Sequence, residues 1–212
     1  AEHPLLYLMK NGRRYYMESM AQQYPVSEIF TSIQGEGAHL GRVVTFIRLE
    51  GCNLRCPWCD TADKAFDINS DHYISIKEIL SNVKSDFVVI TGGEPTIHNL
   101  KPLVDALHEK ECIVAMETNG TNPIPDDVEI DWVTVSPKPP IYALNCRADE
   151  LKYVCDETLK IEHIVKSDLY EGLIWIQPEG HKPESIKRAI AMVHKYPWLR
   201  MGIQLHKVLG VE

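Results

Sequence analysis

Cys52, Cys56 and Cys59 fall within eight residues, in the stretch Cys52-Asn53-Leu54-Arg55-Cys56-Pro57-Trp58-Cys59-Asp60-Thr61. The chain has 6 cysteines in 212 residues, so a triple at these spacings arises by chance about 0.005 times per such chain. Three thiolates this close together can hold a soft metal centre but cannot close it, because structural zinc sites and iron–sulfur cubanes normally take four protein ligands. One position is left for something else. The competing readings are a zinc knuckle completed by a distant Cys or His, and a disulfide framework, which needs an oxidising compartment. Cys112, Cys146 and Cys155 are too scattered for a second motif. Cys112 opens an apolar run and reads as a small core residue.

Rigid elements have to present such a loop. Val43-Val44-Thr45-Phe46-Ile47-Arg48-Leu49 is β-branched and apolar, which predicts a buried strand running straight into the cysteines. Ser75-Ile76-Lys77-Glu78 is a capping box that predicts a helix from 76 to about 83. Further strands are predicted over 87–91, 112–116, 131–135, 161–165, 172–176 and 200–205. Helices are predicted over 100–110 and over 184–195, the latter with Pro183 at its start. Alternating strands and helices argue for a parallel sheet of βα units. A closed eight-unit barrel takes roughly 250 residues. The expectation is therefore an α/β fold, a partial, open (β/α)6-type TIM-like barrel of about six strands. Ligands bind such sheets at the carboxyl ends of the strands. Residues 1–20, with Tyr7, Tyr15, Tyr16 and Arg13-Arg14, show no clean period. Residues 1–25 are expected to be an N-terminal extension, native or left over from cloning, with Met20 a candidate start and 26–212 the single domain.

Motifs recur at those strand ends. Thr91-Gly92-Gly93-Glu94-Pro95 follows a strand, and its glycines let backbone approach a ligand. Glu117-Thr118-Asn119-Gly120 closes the next strand. Ser136-Pro137-Lys138-Pro139-Pro140 holds a lysine on a stiff backbone. Gln177-Pro178-Glu179-Gly180 offers an amide suited to a ribose hydroxyl or an adenine edge. Alone, each is also an ordinary strand-end turn. Upstream, Ile33-Gln34-Gly35-Glu36-Gly37 can turn backbone amides and two polar side chains to one ligand. Arg48, four residues before Cys52, suits a carboxylate held in two contacts. The tail, with Gln204, His206 and Lys207, can fold back over such a pocket.

Charge narrows the ligand. The net charge is −8 and the pI about 5.6, with lysines and arginines scattered. Without the basic stripe that nucleic acid requires, the expected target is a small molecule. No apolar run approaches the ~20 residues of a membrane span, and no signal peptide stands out. The expectation is a cytoplasmic protein with reduced thiols and no membrane partner.

The cysteine spacing together with Gly92-Gly93-Glu94-Pro95 resembles the radical S-adenosylmethionine (SAM) superfamily. That resemblance implies a [4Fe-4S] cluster held by Cys52, Cys56 and Cys59, its fourth iron chelated by the amino and carboxylate groups of SAM. From 26 to 212, the IQGEG segment, Arg48, Cys59-Asp60-Thr61, TGGEP, SPKPP, QP and the terminal QLHK are similar to the 7-carboxy-7-deazaguanine synthases. The resemblance implies a carbon–nitrogen lyase that makes the carboxylated deazaguanine of queuosine and related bases from 6-carboxy-5,6,7,8-tetrahydropterin. A 5′-deoxyadenosyl radical takes hydrogen from carbon six, the ring contracts and ammonia leaves. By position, Trp58, Cys59, Asp60, Gly93, Glu94, Ser136, Pro137, Lys138, Gln177, Pro178, Glu179 and Gly180 are carried over to SAM. Ile33, Gln34, Gly35, Glu36, Arg48, Thr91, His206 and Glu212 are carried over to the pterin, and Thr61 to Mg²⁺. His98 stands where the family often has glutamine, so its role is open. Flavodoxin or another one-electron reductant and a homodimer are implied as well. The alternatives are another small radical SAM enzyme, such as a glycyl-radical-enzyme activase, and a non-catalytic zinc or iron–sulfur binding module.

Overall fold

A computed structural model of the chain describes residues 20–164, 172–180 and 182–211. Its core is one nine-stranded sheet in the order β3-β1-β2-β4-β5-β6-β7-β8-β9. The strands are β1 (Gln23–Ile33), β2 (Val43–Leu49), β3 (Tyr73–Ser75), β4 (Phe87–Gly92), β5 (Ile113–Thr118), β6 (Trp132–Val135), β7 (Glu150–Cys155), β8 (Leu173–Pro178) and β9 (Arg200–Met201). From β2 across to β9 every pairing is parallel. β1 pairs antiparallel with both β2 and β3, and closes that flank. Six parallel strands of four to seven residues, plus the short β9, form the expected open partial barrel.

The two faces of the sheet differ because side chains alternate along a strand. Ile47, Leu49, Val88, Ile90, Val114, Met116, Val133, Val135, Leu151 and Tyr153 point outward and are buried. They pack under α2 (Ile76–Asn82), α3 (Lys101–Glu109) and α4 (Pro183–Lys195). Their partners in alternation face the barrel axis. At the narrow end these are Val44, Phe87, Val89 and Ala115, a small second core with Phe46 and Trp132 against it. The His39 ring lies 4.7 Å from Phe87 and 4.9 Å from Trp132. Toward the carboxyl ends the axis-facing positions turn polar: Arg48, Thr91, Glu117, Lys152 and Gln177.

Local signals placed several elements. The Ser75 hydroxyl accepts from Glu78 N at 3.2 Å and caps α2. Pro183 begins α4. Two short helices, α1 (Ala62–Ala65) and α5 (Leu205–Leu209), flank the carboxyl-end face. Two strand expectations need correction. Ile161–His163 is a 3-10 turn, Val165 lies outside the described residues, and the strand of that unit is β7, at Glu150–Cys155. Its Glu150 and Lys152 point into a polar interior, which hid it from a search for apolar runs. The strand expected over 200–205 stops at Met201, and Leu205 already begins α5. Among the described residues the first strand starts at Gln23, before position 26, with Tyr24 buried in the core.

Candidate functional site

β2 delivers the chain to Gly51, whose φ of +88° turns it into the cysteine loop. Cys52 N donates to Phe66 O at 3.1 Å. The Arg55 guanidinium donates to Cys52 O at 2.6 Å, to Leu54 O at 3.0 Å and to Asp67 at 2.8 Å. This loop is pressed against the end of β4. Gly93 N donates to Leu49 O and Glu94 N to Gly51 O. A Cβ on Gly93 would lie 2.1 Å from Gly51 O and 2.4 Å from Ala65 O, so only glycine fits. The three thiols are half-buried, and burial raises the pKa of Cys52 and Cys56. Thr61 precedes α1, its hydroxyl 3.5 Å from Cys59 Sγ.

A cavity of about 550 Å³ opens at these strand ends. It brings together Ile33, Gln34, Glu36, Arg48, Thr91 and His206 with the three cysteines, Trp58, Asp60 and Thr61. Gly93, Ser136, Lys138, Gln177, Glu179 and Gly180 line it too. Four expected residues are not on its wall. Glu94 is fully buried. Its carboxylate accepts from Thr96 N and Oγ1, Thr118 Oγ1 and Asn119 N at 2.5–3.1 Å, so it ties β4 to β5 rather than facing a ligand. Gly35 packs against the tail, where a Cβ would meet the His206 ring at 2.1 Å. Pro137 and Pro178 also lie off the wall. Glu212 lies outside the described residues. His98 binds Glu50 O at 2.7 Å, away from the cavity.

The wall is charged. Arg48 Nε donates to Glu28 at 2.6 Å. Glu28 is partly buried, yet Arg48 and Lys64 hold its carboxyl below the usual range. The terminal amino groups of Arg48 meet no hydrogen-bond partner among the described residues. Lys138 donates to Ser136 O and Oγ at 2.9 and 2.5 Å and sits 5.5 Å over the Trp58 ring. Burial and the neighbouring Lys152 lower its pKa to about 8. The Trp58 indole is pinned to Asp156 at 3.1 Å.

Sequence reasoning missed Lys152, which joins several of the motif residues into one cluster. Lys152 pairs with Glu36 and lies 3.4 Å from Glu117. Gln34 donates to Glu117 at 3.2 Å, and Gln204 to Glu36 at 2.9 Å. The tail then reaches the cysteine loop, with Lys207 bonded to Asp60 at 3.2 Å and Leu205 N to Gly35 O at 2.9 Å. Alternation in Glu150-Leu151-Lys152-Tyr153 was the available signal.

These residues fit a cluster and its cofactor. Cys112 and Cys155 are buried in the outer core, and Cys146 lines a separate groove, which leaves three thiols at the loop. Among the described residues no His, Cys, Asp and Glu side chains converge on a single ion. A cubane ligated by one thiolate per iron needs no such convergence. Gln177 Oε1 is buried at the cavity with no hydrogen-bond partner among the described residues, an acceptor for a ligand N–H.

A three-thiolate loop at the open end of a partial parallel barrel defines a radical SAM enzyme, and the radical SAM superfamily model matches residues 46–132. The particular family follows from full-length relatives. A 7-carboxy-7-deazaguanine synthase of Bacteroides thetaiotaomicron is 36% identical over 88% of this chain and 98% of its own length. One from Synechocystis sp. is 34% identical over 92% and 97%. The crystal structure of QueE from Escherichia coli aligns with a TM-score of 0.71 at 28% identity, covering 90% of this chain and 98% of that one. The chain belongs to the 7-carboxy-7-deazaguanine synthase family, and it is a radical SAM lyase.

Proposed function

We propose that the chain converts 6-carboxy-5,6,7,8-tetrahydropterin to 7-carboxy-7-deazaguanine with loss of ammonia. The observation that carries this reading is Arg48. It is a guanidinium whose two terminal groups meet no partner among the described residues, on the wall of the same cavity as the three-thiolate loop, and it suits a substrate carboxylate held in two contacts. Cys52, Cys56 and Cys59 would hold the cluster, which when bound would supply the one-electron reducing chemistry that cleaves SAM. The chain supplies the rest. The Lys138 ammonium and the Gln177 amide oxygen, both on the cavity wall, would hold the carboxylate and a donor edge of SAM. The partial barrel and the tail keep water from the substrate. Thr61 offers one hydroxyl to a Mg²⁺ ion that would also bind substrate oxygens and steer the ring contraction, in keeping with that ion's preference for oxygen ligands and retained waters. A flavodoxin or similar one-electron reductant, a cytoplasmic setting and a homodimer belong to the same reading. A glycyl-radical activase must admit a protein loop, and the tail bordering this cavity favours a small molecule instead.

Anaerobic reconstitution tests it. Native protein should take up about four irons, cleave SAM on reduction, and release the deazaguanine product only when the tetrahydropterin is supplied. Product should fall when magnesium is chelated. A protein that cleaves SAM but leaves the pterin untouched has another substrate, and one indifferent to chelation has no need of the ion.

A further inference from the structure

Lys152 is the buried cation that none of the assignments above uses. It stands on the axis-facing side of β7, 8% exposed, and lines the cavity. Its ammonium pairs with Glu36 from the loop after β1 and lies 3.4 Å from Glu117 on β5. Both carboxylates also face the cavity, each braced by an amide, Gln204 on Glu36 and Gln34 on Glu117. The strand register places Arg48 beside Thr91, with Thr91 one step beyond the Ile90–Met116 pair and so level with Glu117. Arg48 and Glu117 are therefore two strands apart, about 10 Å between backbones. One end of the cavity is cationic and the other carries two acceptors.

We propose that Lys152 is a positioning residue for the substrate: it holds Glu36 and Glu117 together as an anionic wall that accepts the adjacent N–H donors of a pyrimidinone-type ring, while Arg48 takes the carboxylate. This rests on the pterin reading above. Two carboxylates in a dry pocket repel each other, and without a counter-charge one of them takes up a proton. A protonated carboxyl has lost an acceptor. Lys152 prevents this. Burial alone would discharge its ammonium, but Glu117 and Glu36 outweigh burial and keep it protonated. Glu36 is in turn held below the usual carboxylate range, its own burial overcome chiefly by Lys152. The other ionisable groups facing this pair are Glu150 on β7, Lys138 after β6, Asp60 in the cysteine loop and His206 in the tail.

The test uses the reconstituted full chain with 6-carboxy-5,6,7,8-tetrahydropterin, reading KM and kcat from pH 6 to 8. Native enzyme should show a KM that is flat in pH. Lys152→Met should raise KM by about tenfold or more, the usual loss on removing a charge-assisted contact, with a smaller change in kcat. Its KM should climb further as pH falls, because without the cation the paired carboxylates take up a proton more readily. Lys152→Arg should restore both the value and the flat profile. Iron content should match the native enzyme in both variants. If Lys152→Met does not accumulate as folded protein, Glu117→Gln/Lys152→Met removes the repulsion along with the cation. It should fold and still show a higher KM than Glu117→Gln alone. A native KM with a flat profile in Lys152→Met, or a double variant no worse than Glu117→Gln, overturns the proposal. Failure of the pterin reading shows itself earlier, as native protein that makes no product from pterin.

Discussion

The Arg48 side chain illustrates how one residue serves fold and chemistry together. Its Nε is spent on Glu28, which fixes the guanidinium plane, and its terminal groups meet no hydrogen-bond partner among the described residues. Arg48→Ala should therefore raise the pterin KM by about 10- to 100-fold, the loss expected for a charge-assisted hydrogen bond. Lys64 still neutralises Glu28 at 3.0 Å, so the cluster absorption spectrum should stay unchanged. Loss of iron from the variant would reassign Arg48 to folding. Glu94 shows the opposite case. Its place after two glycines reads as a ligand contact, but four donors from the protein consume its carboxylate. Nothing in a strand-end motif says which way its acidic side chain turns. That depends on Thr118 and Asn119, residues about 25 positions away that only the β4–β5 pairing brings near.

At the scale of elements, the tail is held mainly by carboxylates. Gln204 binds Glu36, and Lys207 binds Asp60. Each of these two acids is held below its ordinary range, burial being outweighed chiefly by Lys152 for Glu36 and by Lys207 for Asp60. Groups shifted in this direction contribute their full stability above the ordinary carboxylate range of about 4. That contribution fades as pH falls through the folded-state pKa. Amide protection of 204–211, corrected for intrinsic exchange, should therefore be constant from about pH 8 to 5 and drop below about 4. Protection that instead changes through neutral pH would shift the hold on the tail to His206. The elements that were legible are those with local causes: the Ser75 cap, Pro183 at a helix start, and the apolar strands β2 and β4. β7 was not, because a strand lining a polar site carries charge where a core strand carries valine.

The whole molecule divides its tasks between the two faces of one sheet. The outer face and its helices form the main apolar core, and the axis-facing residues near the carboxyl ends line the cavity. Leu103→Ala in α3, at a fully buried position, should cost about 2–5 kcal/mol of stability. The folded fraction should keep its iron content and its KM, since the lost methyl groups lie across the sheet from the cavity. A changed KM would mean that helix packing and site geometry are coupled.

The sequence by itself determined the three-thiolate loop, the glycine turn beside it and the alternation of strands with helices, because each follows from spacing or from the conformational limits of nearby residues. Tertiary structure alone decided that Lys152 would meet Glu36 and Glu117, that Glu94 would turn inward, and that the tail would seat against Gly35. Those outcomes depend on which strands lie side by side and on which buried charge finds a partner. A polar group in a dry interior must be paired with whatever the fold brings within reach.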